Sequence, residues 1–181
     1  MLILQAERDA LLKPLQAVTG IVERRHTLPI LSNVLLESVH GQTNIVATDL
    51  EIQINTHGPH SDAEDFRITT NAKKLQDILR ALPEGSLVAL DWAQNRLTLK
   101  AGKSRFNLQT LPAEDFPLMS IGEDVSAAFS LPQEAFKNML SQVQYSMAVQ
   151  DIRSYLNGLL LQVAGDQPRL VATDGHRLAF S

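Results

Sequence analysis

"LVATDGHRLAFS", Leu170 to Ser181, closes this sequence, and its reading turns on an earlier stretch, "IVATDLEIQ", at Ile45 to Gln53. Val46-Ala47-Thr48-Asp49 falls on Val171-Ala172-Thr173-Asp174. Working outward, "LSNVLLES" (Leu31–Ser38) matches "LNGLLLQV" (Leu156–Val163), with Asn33 over Asn157. "LILQAERDALLKPLQAV" (Leu2–Val18) shares its outline with "AFSLPQEAFKNMLSQV" (Ala128–Val143): a short apolar strand, a polar turn, then a helix. Leu11, Leu15 and Val18, one apolar helical face, correspond to Phe136, Leu140 and Val143. Three matches in one order mark an internal repeat.

The first copy continues well past its "ATD". An alternating strand "LEIQIN" and a strand "DFRITT" lead to a helix from about Asn71 to Leu82, with Leu75, Ile78, Leu79 and Leu82 on one face. Strands follow at "LVALDW", "RLTLKA" and "SRFNLQTL"; in the last, Phe106, Leu108 and Thr110 alternate with Arg105, Asn107 and Gln109. Turn residues separate them at Pro83-Glu84-Gly85, Ala93-Gln94-Asn95 and Gly102-Lys103. "LPAEDFPLMSIGED" (Leu111–Asp124), aperiodic and with two prolines, reads as a linker. The expectation is an α+β chain: residues 1–124 a complete domain of strand-helix-strands used twice, and residues 125–181 the first half of a second, truncated domain.

Composition narrows the function classes. With 44% hydrophobic and 20% charged residues, the chain has an ordinary globular balance. The absence of cysteine excludes disulfide scaffolds, thiol nucleophiles and cysteine-bound zinc, and agrees with a reducing, cytoplasmic setting. No apolar run approaches the roughly 20 residues of a membrane span. The net charge of −4 gives no global footprint for nucleic acid, although local patches can act against a net charge.

Several stretches invite a chemical reading. Asp174, His176 and Arg177 could form an acid–base site, as in a small hydrolase or deaminase; against this, Asp-Gly is a hairpin signal and copy one has no counterpart of His176. "AGKS" (Ala101–Ser104) lacks the earlier glycine and following helix of a phosphate loop. Of five histidines, only His57 and His60 approach ligand spacing, and they flank a polar Gly-Pro, so no metal is expected. No cofactor fingerprint appears. Arg24, Arg25 and His26 follow the first helix, and Gln150, Arg153 and Tyr155 occupy the corresponding loop of copy two. Basic and hydrogen-bonding residues at one loop in both copies favour a phosphate-contacting surface that reads no sequence.

"LLKPLQAV", "TLPILSNVLLE", "ATDLEIQI", "LPAEDFP", "YSMAVQDIRSYLNGLLLQ" and "VATDGHRLA" together resemble the bacterial β sliding clamp family, the processivity subunit of DNA polymerase III, from Leu11 to Ala179. The resemblance implies DNA clamp domains with helices on one face of antiparallel sheets. Two full-length chains would close head to tail around duplex DNA, without catalysing a reaction. It also implies that Arg25, Gln150 and Tyr155 face DNA, with Ser154 departing from relatives that carry an aromatic there. Lys74, Ile78, Lys103, Arg105, Phe106 and Leu108 would dock on the partner subunit, core packing being the competing reading for Ile78 and Phe106. Leu156, Thr173, Gly175, His176, Arg177 and Leu178 would wall a hydrophobic groove for short peptides of the polymerase, the clamp loader and repair proteins. On this reading the present chain is not expected to close a ring alone. A naturally short, non-ring relative is the remaining alternative.

Overall fold

Apolar alternation and two amphipathic helices produce one pattern twice in the first unit, Met1–Ile121. The first pass runs β1 (Leu2–Glu7), α1 (Arg8–Val18), β2 (Asn33–Val39), β3 (Gln42–Thr48) and β4 (Gln53–His57). The second runs β5 (Phe66–Asn71), α2 (Ala72–Ala81), β6 (Leu87–Ala93), β7 (Arg96–Ala101) and β8 (Ser104–Gln109). The second unit, Gly122–Ser181, holds α3 (Gln133–Val143), β9 (Leu160–Ala164), β10 (Gln167–Thr173) and β11 (Leu178–Phe180). This computed structural model describes residues 1–22, 28–119, 129–164 and 167–181.

The two passes of the first unit exchange their leading strands. The sheets run β1-β6-β7-β8 and β4-β3-β2-β5, all neighbours antiparallel, so each sheet takes one strand from one pass and three from the other. Ile3, Leu36, Ile45, Ile68, Leu90, Leu97 and Leu99 from both sheets meet Leu11, Leu15, Leu75 and Leu79 of the helices in one core. Asn71 caps α2 by accepting the Lys74 N–H at 3.0 Å. At the other end of α2, Arg8 donates to the carbonyls of Leu79 (2.8 Å) and Arg80 (3.3 Å), so a cation meets the helix's negative end. Buried Gln76 donates to Thr19 at 2.7 Å and joins the helices.

Four sequence expectations need correction. Glu7 ends β1 and directly precedes α1, with no polar turn between them. The "LEIQIN" strand begins only at Gln53, because Asp49–Ile52 form a turn. Leu111–Asp124 is not simply a linker: Ala113 and Phe116 are buried against Leu35 and Val46 on the sheet face away from the helices. Finally, Phe129–Leu131 form no strand. In the first unit β1 is held by β6, some eighty residues later.

The pairing register fixes the repeat at one displacement. Leu35↔Val46 through Val39↔Gln42 recur as Leu160↔Val171 through Ala164↔Gln167. Val46↔Asn55, Ala47↔Ile54 and Thr48↔Gln53 recur as Val171↔Phe180, Ala172↔Ala179 and Thr173↔Leu178. Asn157 therefore corresponds to Ser32, and the alignment of Asn33 over Asn157 is off by one. The helices follow the same displacement, Arg8–Val18 onto Gln133–Val143. Val143, Leu170, Ala172 and Ala179 form the second unit's buried cluster, with Phe136 and Leu140 half-buried around it.

Candidate functional site

The repeated Thr-Asp builds a turn. In copy one the Thr48 hydroxyl donates to the Ile52 carbonyl (2.8 Å) and accepts the Leu50 N–H (3.1 Å), while Asp49 Oδ1 accepts the N–H groups of Glu51 (2.9 Å) and Ile52 (2.7 Å). In copy two the Thr173 hydroxyl donates to the Arg177 carbonyl (2.6 Å) and accepts the Gly175 N–H (3.1 Å), while Asp174 Oδ1 accepts those of His176 and Arg177 at 2.9 Å. Asp174 Oδ2 takes the Arg177 Nε–H at 2.9 Å. Both carboxylate oxygens are thus engaged. The His176 and Arg177 N–H groups, followed by the charge of Arg177, hold this carboxyl below its usual range. Asp174 is a turn builder whose carboxylate holds two backbone N–H groups and the Arg177 guanidinium, which favours a structural role over the acid–base reading of Asp174 with His176.

The turn displays its other side chains outward. Gly175, His176, Arg177 and Leu178 are exposed, Thr173 is half-buried, and Leu156 is buried. Arg177 lies over the ring of Tyr145, 5.8 Å from its centroid. Phe180 stands 75% exposed beyond Leu178.

The loop before β9 is held as firmly. Asp151 accepts from the Arg153 backbone N–H (2.8 Å), Nε (3.0 Å) and Nη2 (2.9 Å). Asn157 braces the same loop by accepting the Asp151 N–H (2.9 Å) and donating to its carbonyl (3.0 Å). The Arg153 side chain, then its backbone N–H, lowers the Asp151 carboxyl to about 2. Gln150 sits at φ +56°, exposed, and Tyr155 is 75% exposed. Gln150 and Tyr155 are therefore accessible as expected, whereas the Arg153 charge is partnered by Asp151. Arg24 and Arg25 lie outside the described residues. Asp151, Asn157 and Tyr145 escaped the sequence reading; Asp-x-Arg, which lets a carboxylate reach back to a guanidinium, was the signal for the first.

On the first unit, Lys74, Lys103 and Arg105 are exposed, and β8 is a sheet edge. Ile78 and Phe106 are half-buried against the core, while Leu108 is only 5% exposed and belongs to it. Leu108 therefore serves its own unit's core, and the surface on offer is the β8 edge with its basic side chains. His57 Nδ1 lies 2.9 Å from Asn44 Oδ1 and 3.2 Å from Gln42 Nε2. Among the described residues, no cluster of three or more His, Cys, Asp or Glu could hold a metal, and no helix is long and apolar enough to cross a membrane.

Comparison with known proteins places both units. The family model for the DNA polymerase III beta subunit, N-terminal domain, matches residues 2–120, and that for its central domain matches residues 130–181. The beta sliding clamps of Pseudomonas aeruginosa and Escherichia coli K12 are 48% and 45% identical over 175 and 177 residues, covering 96% of this chain and 47% of theirs. The crystal structure of the P. aeruginosa subunit aligns with a TM-score of 0.91 at 47% identity, over 98% of this chain and 48% of that one. A P. aeruginosa clamp bound to griselimycin gives 0.92 at 47% identity, over 99% and 48%, and Caulobacter crescentus pol III beta gives 0.90 at 39%, over 100% and 50%. The chain spans about half the length of these relatives.

Proposed function

Because the chain belongs to the DNA polymerase III beta subunit family of sliding clamps, we propose that it supplies the N-terminal portion of a cytoplasmic ring that encircles duplex DNA and tethers replication partners. The whole protein acts by topology and catalyses no reaction. One observation carries this: the eight paired residue positions of two strand pairs and four turn hydrogen bonds of copy two match copy one at a single displacement. A ring that treats every base pair alike is built economically from superposable units around the duplex axis.

Within that function, Arg24, Arg25, Gln150 and Tyr155 make loose phosphate-side contacts that exchange as the ring slides. The β8 edge, with Lys74, Lys103 and Arg105, meets a second subunit in the head-to-tail dimer of full-length chains, basic groups suiting an acidic partner face. The Thr173–Leu178 turn with Leu156 receives short peptides of the polymerase, the clamp loader and repair proteins; a turn fixed by its own hydrogen bonds presents His176, Arg177 and Leu178 with little ordering left to do on binding.

The test is topological. The full-length protein carrying this sequence is loaded on nicked circular duplex and on the same duplex linearised. Retention on the circle with rapid loss from the linear form is expected. Equal retention on both would mean binding by contact rather than encirclement and would overturn the reading.

A further inference from the structure

Arg153 was expected among the phosphate contacts, yet its guanidinium, although exposed, is held by Asp151. Nε and Nη2 grip both oxygens of Asp151, and the terminal nitrogens lie within van der Waals reach of a side chain at Gly175: a Cβ there would stand 3.4 Å from Nη1 and from Nη2. Gly175 has φ +89°, but that does not by itself require glycine here, because Leu50, its counterpart in copy one, holds the same turn position at φ +80°. The two copies differ in what stands opposite. Copy one has Leu28 at the position equivalent to Arg153 and Leu50 at that of Gly175, and both leucines are about half exposed. Copy two pairs Gly175 with Arg153.

We infer that Arg153 is a positioning residue rather than a phosphate contact. Held by Asp151, it braces the 150–157 loop against the Thr173–Leu178 turn, with its terminal nitrogens at contact distance from position 175. A bidentate carboxylate suits this role because it fixes the plane of the guanidinium as well as its place. Asp151 acts through Arg153. The consequence for peptide binding rests on the reading of the turn as a peptide site: the backbone at 175–177 is presented in one conformation only while the lock is closed.

The experiment uses Asp151→Asn, Arg153→Ala, Gly175→Leu and Arg153→Ala/Gly175→Leu in the full chain. Three readouts are independent of any partner: the Arg153 Nε–H resonance, amide exchange at Gly175, His176 and Arg177, and thermal unfolding. The Nε–H signal is expected to lose its protection in Asp151→Asn, and exchange at the three amides to quicken severalfold in both Asp151→Asn and Arg153→Ala. Gly175→Leu is expected to cost more stability beside Arg153 than in the double variant, a non-additivity that reports their contact. An equal cost in both backgrounds, or unchanged exchange in Arg153→Ala, overturns the lock. Duplex DNA affinity across a salt series separates the roles: Arg153→Ala leaves the slope of log affinity against log salt unchanged, whereas loss of a phosphate contact would lower it by about one and overturn the assignment. A labelled peptide from the polymerase's clamp-binding segment is expected to bind both lock variants several times more weakly. If these amides quicken while wild type itself binds no peptide, the peptide-site reading fails and the lock stands.

Discussion

Replacing Thr48 or Thr173 by valine tests whether the repeated "TD" is architecture. Valine keeps the β-branched shape and removes one oxygen, which in each copy donates one hydrogen bond and accepts another. A hydrogen bond contributes a net ~0.5–1.5 kcal/mol, so two give roughly 1–3 kcal/mol. Thr48 is only 1% exposed, but the Leu50 N–H that would lose its partner belongs to an exposed residue and can turn to water, while the Ile52 carbonyl keeps the Asp49 N–H at 3.2 Å. The estimate for Thr48→Val is therefore the middle of the range, about 2 kcal/mol. For a unit of the size of Met1–Ile121 this lowers Tm by roughly 6–10 °C. Thr48→Ser keeps both bonds and is expected to stay near wild type. Amide exchange is the local assay: the Leu50 amide quickens in Thr48→Val and the Gly175 amide in Thr173→Val, each without the other. Peptide binding falls only for Thr173→Val. A neutral Thr48→Val with an unchanged Leu50 amide would show that the hydroxyl does not hold the turn, and the argument from repeated geometry would collapse.

Leu79→Ala, at a fully buried position on α2, is expected to cost roughly 2–5 kcal/mol in the first unit's denaturant midpoint; Leu170 and Ala172 amides of the second unit should keep their protection. Asp151 titrates near 2 when folded against an ordinary 3.8, and Asp174 is also lowered. A depressed carboxylate stabilises the fold above its ordinary value and loses that contribution as pH falls through its folded value. The Arg153 Nε–H chemical shift should thus hold its paired value above pH 4 and move toward that of a free guanidinium as pH drops toward 2, as followed by NMR across an acid series. Arg25→Ala in the full-length protein should weaken duplex binding equally for all sequences and lower the salt slope by about one, whereas Gln150→Ala should weaken binding with the slope unchanged, read by anisotropy at several salt concentrations.

What was legible in the sequence was local or periodic. Leu11, Leu15 and Val18 share a face because helical spacing puts them there, and their counterparts near Phe136 follow the same rule. Pairing across eighty residues leaves no local trace, so the exchange of β1 and β5 between sheets could not be seen. Hence Phe129–Leu131, an apolar stretch before a helix, looked like a strand although it forms none. The same holds for Phe116: two prolines and no period suggest a tether, and only the fold shows a strap over Leu35 and Val46. At the site, residue types announced the turn and the exposed Gln150 and Tyr155. They could not announce the direction of the Arg153 guanidinium, because a charge two residues from a carboxylate can serve water, phosphate or that carboxylate, and geometry alone decides.

The two copies also explain why one scaffold yields two surfaces. Backbone register and turn hydrogen bonds are shared, so neither distinguishes a binding site from a structural corner. The differences lie in the side chains of the turn and of the loop that carries Arg153. Leu50-Glu51-Ile52 becomes Gly175-His176-Arg177, replacing two aliphatic projections with an open backbone, an imidazole and a guanidinium. In copy one Ala113 and Phe116 strap over Leu35 and Val46. Phe116→Ala should bare that apolar sheet face, at a cost of about 3–5 kcal/mol for a buried phenylalanine. Exchange should quicken at Leu35 and Val46, and binding of an apolar dye such as ANS should rise. If peptide binding depends on the substituted turn and its lock, this variant gains dye and no peptide. If an uncovered apolar sheet face were enough, it would gain both, and the roles assigned to His176, Arg177 and the Asp151–Arg153 pair would be wrong.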